Sequence, residues 1–224
     1  SISADGKRMI YENNFTLWTL DVPAGQPKQL AIRISTDPKE GDITVLTANG
    51  RADGFSPSPD GEWVAVDAHG EIFIVPAEQG VGEMRQVTNS AWRDDGQLWS
   101  PTSKYLAYTS DESREEEVWV FEVATGAKRK VTSIEGPKTN LTWAPNGTTL
   151  LFTANNRLYE VDVSRTAPAR EVAYNQAGGY SNISFAADGK LLVYTRSNDT
   201  QIPEVYLYDP STKREINISR NPIP

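Results

Sequence analysis

The 224-residue sequence contains no cysteine. That excludes disulfides, thiolate metal ligands and a cysteine nucleophile, while leaving the compartment unassigned. Histidine is almost as scarce: His69 is the one imidazole, so a local Ser-His-Asp triad would have to use it. It stands in an Asp67-Ala68-His69-Gly70 connection, and no Gly-x-Ser-x-Gly elbow occurs anywhere in the sequence, so His69 reads as a polar turn residue. No apolar run approaches the roughly 20 residues a membrane-crossing helix needs. No Gly-rich loop leads from a strand into a helix to cradle phosphate. Basic residues are outnumbered 30 to 22, for a formal charge of -8, which excludes a general nucleic-acid binder. The acidic segment at residues 111–117 lacks the Asp-x-Asp-x-Asp-Gly spacing of a calcium loop and reads as a solvated connection. No stretch carries a 3.6-residue amphipathic period, so almost no helix is expected. Catalytic residues, metal ligands and cofactors are all assigned as none.

What is abundant is repetition. Ser56-Pro57-Ser58-Pro59-Asp60-Gly61 leads into the apolar Trp63-Val64-Ala65-Val66. The phrase returns as Trp99-Ser100-Pro101-Thr102-Ser103 before Tyr105-Leu106-Ala107-Tyr108, and as Trp143-Ala144-Pro145-Asn146-Gly147 before Leu150-Leu151-Phe152. It recurs as Phe185-Ala186-Ala187-Asp188-Gly189 before Leu191-Leu192-Val193-Tyr194, and at the start as Ser3-Ala4-Asp5-Gly6. From Gly61 through Ser103 and Gly147 to Gly189 the steps are 42, 44 and 42 residues. A period of about 40–45 residues with four strands per unit is the signature of a β-propeller. The expected fold is all-β, about five four-stranded blades forming part of a larger propeller assembly.

Proline presets φ at each turn, and glycine accepts the left-handed backbone that closes a hairpin between strands A and B. The aromatic before the turn is placed to fill the space between neighbouring blades. In the first repeat, strands B, C and D are expected at residues 8–11, 16–21 and 28–32. Strand D of the second is expected at residues 84–88. The step from Gly6 to Gly61 is 55 residues, and the surplus lies at residues 34–50, a junction or long loop with a strand-like stretch at 43–46. Residues 1–33 are then a terminal blade of a preceding propeller or a first blade, and residues 51–224 four consecutive blades. The sequence opens inside a repeat without an initiator Met, and reads as a portion of a longer protein whose targeting segment is not observable.

Three phrases narrow the comparison: the Ser-Pro-Ser-Pro-Asp-Gly turn, Gly70-Glu71-Ile72-Phe73-Ile74-Val75, and Ile32-Arg33-Ile34-Ser35-Thr36-Asp37. Together they resemble the propeller region of bacterial tricorn-type serine proteases, and the resemblance covers essentially the whole chain. It implies a non-catalytic propeller that guides or gates peptides towards a catalytic region lying elsewhere in the parent protein. The repeat motif is shared with the periplasmic propeller of the Tol–Pal system, which implies the alternative of a stand-alone protein-interaction propeller. The implied partners are peptides or other domains of the parent, with self-association through unclosed blades where the repeats do not close a ring. Localisation is unknown, with periplasmic and cytoplasmic bacterial settings both open.

Loops joining strands B to C, and D to the next A, gather at one end of a blade, where a rigid scaffold displays binding residues. His69, Trp92, Arg93, Arg114 and Arg157 fall on such loops and are the expected substrate-binding positions. Arg offers a bidentate fork for carboxylates, and Trp and Arg are common binding anchors.

Overall fold

Each turn phrase closes with a bond from the N–H of its turn point to the carbonyl three residues back. In the computed structural model, which describes residues 1–13, 16–31 and 52–219, Gly61 N donates to Ser58 O at 2.9 Å, while Ser58 Oγ donates to Asp60 Oδ1 and accepts from Trp63 N. Ser3, Asp5, Gly6 and Arg8 repeat this arrangement atom for atom. Hydrogen bonds from Ser58 and from Glu62 N hold the Asp60 carboxyl below its usual range. At the position of the turn glycine the third repeat carries Ser103, which adopts the same left-handed backbone at φ 56°. Its hydroxyl accepts from Asp60 N of the preceding turn at 3.0 Å, so these two turns are tied to one another.

The chain divides into two compact units, Ser1–Thr47 and Ala48–Pro224. In the first unit, β1 (Arg8–Asn13), β2 (Thr16–Asp21) and β3 (Lys28–Gln29) form a three-stranded antiparallel sheet. These are strands B, C and D of the first repeat. In place of strand A there is a single bridge between Ile2 and Met9, so this repeat has three strands among the described residues, not four. The expected junction at residues 34–50, the Ile32–Asp37 phrase and the expected strand at 43–46 lie outside the described residues.

The second unit holds four four-stranded antiparallel meanders, and no helix occurs among the described residues. Blade 1 is β4 (Ala52–Pro57), β5 (Trp63–Ala68), β6 (Glu71–Pro76) and β7 (Arg85–Gln86). Blade 2 is β8 (Asp94–Trp99), β9 (Tyr105–Ser110), β10 (Glu117–Glu122) and β11 (Lys128–Lys130). Blade 3 is β12 (Thr139–Trp143), β13 (Thr149–Ala154), β14 (Arg157–Asp162) and β15 (Arg170–Tyr174). Blade 4 is β16 (Tyr180–Phe185), β17 (Leu192–Ser197), β18 (Pro203–Asp209) and β19 (Arg214–Asn217). The all-β propeller architecture is the one the repeat period predicts.

Several expected boundaries shift: β1 runs on to Asn13 and β3 stops at Gln29. Strand β5 continues through Asp67 and Ala68, leaving only His69 and Gly70 to turn. Strand β7 is shorter than residues 84–88, because Thr88 leaves the ladder: its hydroxyl accepts from Ile72 N and donates to Glu71. Blade 2 repeats this device, with Thr132 accepting from Val118 N and donating to Glu117.

Blades 2 and 3 pack on both faces and blades 1 and 4 on one, which explains why the apolar residues of the middle B and C strands run on without clean alternation. Ala65, Ile72 and Ile74 of blade 1 meet Trp99, Leu106 and Tyr108 of blade 2. Ala107, Val118 and Val120 meet Trp143, Leu150 and Phe152 across the next interface. Leu151 and Leu158 meet Tyr180, Ile183, Tyr194 and Tyr206 across the third. No buried cluster among the described residues joins blade 4 to blade 1. The two tryptophans before the turns reach back one blade: Trp99 Nε1 donates to Ser56 O at 2.9 Å and Trp143 Nε1 to Leu98 O at 3.0 Å.

An acidic cleft between the first two blades of the second unit

Strand A of every blade in this unit breaks register: between Ala52 and Gly54, Asp95 and Leu98, Thr139 and Thr142, and Ser181 and Ser184. The residue seven before each turn point is Gly54, Gly96, Asn140 or Asn182. The last three are left-handed, at φ 71°, 54° and 50°. Glycine and asparagine are the residues that tolerate this backbone, and a bulge re-aims the side chains around it. The bulges of β4 and β8 lie side by side, with Gln97 beside Gly54.

Between them opens a cleft of about 370 Å³ lined by Asp53, Asp67, Asp94, Asp95, Arg93 and Gln97. Arg93 donates to Asp95 Oδ2 at 2.7 Å, and Gly96 N to Asp95 Oδ1. Asp94 is buried at the base of its strand, with Ser90 Oγ 3.5 Å from Oδ2. Burial pushes its carboxyl upward, against hydrogen bonding from Ser110 and Thr88. Asp67 differs from both. It is only 7% exposed, and its Oδ1 has no hydrogen-bond partner among the described residues. Burial, with the charges of Asp95 and Asp53, raises its pKa, and Arg93 only partly opposes this. A carboxyl with a raised folded-state pKa binds protons more readily folded than unfolded, so its contribution to stability falls as pH rises through that value. Above that value its charge therefore works against folding.

Loop contacts at this end bring together part of the expected binding set. Asp94 N donates to Gly70 O at 3.1 Å, and Asp111 N to Arg93 O at 3.3 Å. Arg114 N closes its own turn on Asp111 O at 2.8 Å, with φ at 70°. Arg93 and the turns carrying His69 and Arg114 are thus linked by backbone hydrogen bonds. His69 and Arg114 are exposed, and Trp92 is 45% exposed. Arg157 is placed apart, on β14 of blade 3, with its guanidinium 4.5 Å above the Tyr174 ring and 3.0 Å from Glu171.

Sequence reasoning missed the aspartates. The signal was in the alignment of the repeats: six residues past each turn point stand Asp67, Thr109, Thr153 and Thr195. Thr109 Oγ1 donates to Asp95 O and Thr153 Oγ1 to Thr139 O, while Thr195 Oγ1 takes a bond from Asn182. Three blades use threonine to tie strand B to the bulge; blade 1 has an acid there.

Fold and cleft define the class: an all-β propeller protein whose blade ends carry the polar groups. No protein-family model matches the chain, and comparison with curated proteins gives no match. Among solved structures, the chain is similar to the tricorn protease at TM-score 0.63 and 14% identity over 95% of its length, spanning 21% of that protein. It is similar to TolB from Acinetobacter baumannii at TM-score 0.57 and 17% identity, over 91% of this chain and 48% of that one. A putative TolB from Agrobacterium tumefaciens gives TM-score 0.55 and 18% identity, over 97% and 78% of the two chains. At these identities the likeness is one of fold. The chain spans about a fifth of the tricorn structure and about half of the first TolB.

Proposed function

We propose that this chain is a non-catalytic propeller portion of a tricorn-like serine peptidase, guiding or gating peptide access to a catalytic region outside it. The observation that carries this reading is the linked group of loops at one blade end. Trp92 and Arg93 are exposed there, beside an acidic cleft, in the loop that leads into β8, whose blade is fixed by an interblade core. Exposed aromatic and cationic side chains on a rigid frame suit docking of extended chains. The test is steady-state kinetics of a Trp92→Ala/Arg93→Ala double variant in the full-length protein, with folding checked by circular dichroism. Loss of about tenfold in kcat/KM on peptides, varying with peptide length, is expected. Unchanged values at every length remove these residues from the substrate path.

One observation favours the alternative of a protein-interaction propeller of the Tol–Pal type: the chain spans 78% of the putative Agrobacterium tumefaciens TolB. A full-length protein without any peptide hydrolysis overturns the first reading and leaves this one.

A further inference from the structure

The departure of blade 1 from its own repeat points to a ligand. In blades 2 and 3 the threonine six residues past the turn donates to the strand-A carbonyl at the bulge, and the corresponding carbonyl in blade 1 belongs to Asp53. An ionised Asp67 is acceptor-only and cannot make that bond. Replacing a satisfied hydroxyl with a buried carboxylate removes a hydrogen bond and leaves a charge without a partner, both destabilising. Nothing in the packing of blade 1 demands it: the neighbouring Ala65 and Ile72 are fully buried in an apolar cluster, as in the other blades. The group the carboxylate lacks is a donor, and the cleft it lines has room for one.

The other cleft groups narrow the chemistry. Asp53, Asp94 and Asp95 stand around Asp67, and Arg93 is already engaged by Asp95. Among the described residues no set of three acidic, histidine or cysteine side chains is disposed to hold a metal ion. Acids spread over the ends of β4, β5 and β8, instead of converging on a point, suit a group that sends several N–H donors outward. An ammonium does this with three rotatable donors on a compact charge. We propose that the Asp67 cleft binds a protonated amine of a peptide, the chemistry shared by a lysine side chain and a free N-terminus. The Asp67 carboxylate takes one N–H, with Asp53 and Asp94 supplying the remaining negative charge.

This deepens the reading of the chain as a peptide-receiving propeller, and its test needs no turnover. Binding to the chain is measured by calorimetry with three short peptides: N-acetylated with one lysine, lysine-free with a free N-terminus, and N-acetylated with norleucine. At least tenfold preference for one or both amine peptides over the norleucine peptide is expected, and which one binds identifies the source of the amine. Asp67→Thr, which restores the residue of the other blades, is expected to abolish that preference and to raise the unfolding midpoint. Asp188→Asn, which removes a charge from a remote turn, is expected to leave binding unchanged. Equal binding of all three peptides overturns the proposal, as does amine preference surviving in Asp67→Thr. A lowered midpoint in Asp67→Thr overturns it as well, because the carboxylate is then a structural partner. Failure of the Trp92/Arg93 kinetics with amine binding intact removes the peptidase reading alone.

Discussion

Trp143 offers the sharpest check on how the blades are held together. Its indole is 7% exposed, lies between blades 2 and 3, and stacks on Tyr105 with ring centroids 6.3 Å apart and planes 15° from parallel. Nε1 donates to Leu98 O of the preceding blade at 3.0 Å. Truncation to alanine removes the whole ring from a site walled by two sheets, and such changes cost about 3–5 kcal/mol. Phenylalanine keeps one ring but leaves the Leu98 carbonyl without its donor, a loss of about 1–2 kcal/mol. A domain of this size moves by about 2–4 °C in midpoint per kcal/mol. Trp143→Ala should therefore melt about 10 °C lower and Trp143→Phe about 4 °C lower. Far-ultraviolet circular dichroism is the suitable probe, since fluorescence changes with the tryptophan count. The exposed Trp92→Ala serves as the reference, with an expected change within about 0.5 kcal/mol. If Trp143→Ala shifts the midpoint no further than Trp92→Ala, the indole is not part of the interblade core.

Lys138 has a fully buried side chain, with Nζ 3.1 Å from Glu117 Oε2 and donating to the carbonyls of Glu116, Ile134 and Gly136. Lys138→Met should cost about 3–5 kcal/mol because Glu117 is left charged and buried, and adding Glu117→Gln should recover part of it; urea midpoints of the two variants that agree would show no coupling. Gly147→Ala should destabilise more than Gly189→Ala in the same assay. Both glycines are left-handed, at φ 71° and 72°, which costs alanine about 1 kcal/mol. Only at Gly147 would the new Cβ also meet Thr102, 2.6 Å away, against 3.6 Å to Pro145 at Gly189. Equal losses would show that Thr102 yields without strain.

Much of this architecture is written locally. A turn of four residues followed by an apolar strand needs only neighbouring atoms to close, so its five copies announce the period, the hairpins and the left-handed position that Ser103 shares with the glycines. The aromatic before the turn was equally legible as interblade filler, because an indole before a hairpin has nowhere else to be buried. What tertiary structure alone decided is which of the charged residues matter. Of the three arginines that drew attention, two pair with near neighbours: Arg93 with Asp95 and Arg157 with Glu171 and Tyr174. Asp67 looked like part of a polar turn, yet pairing with Gly54 carries it into strand β5 and beneath the bulges of two blades. Its environment is made by residues from three strands, and burial arises only when those strands assemble. The identity of the residue was in the repeat, as an acid where three blades have threonine; the absence of a partner for it was not, because that is a property of the assembled space.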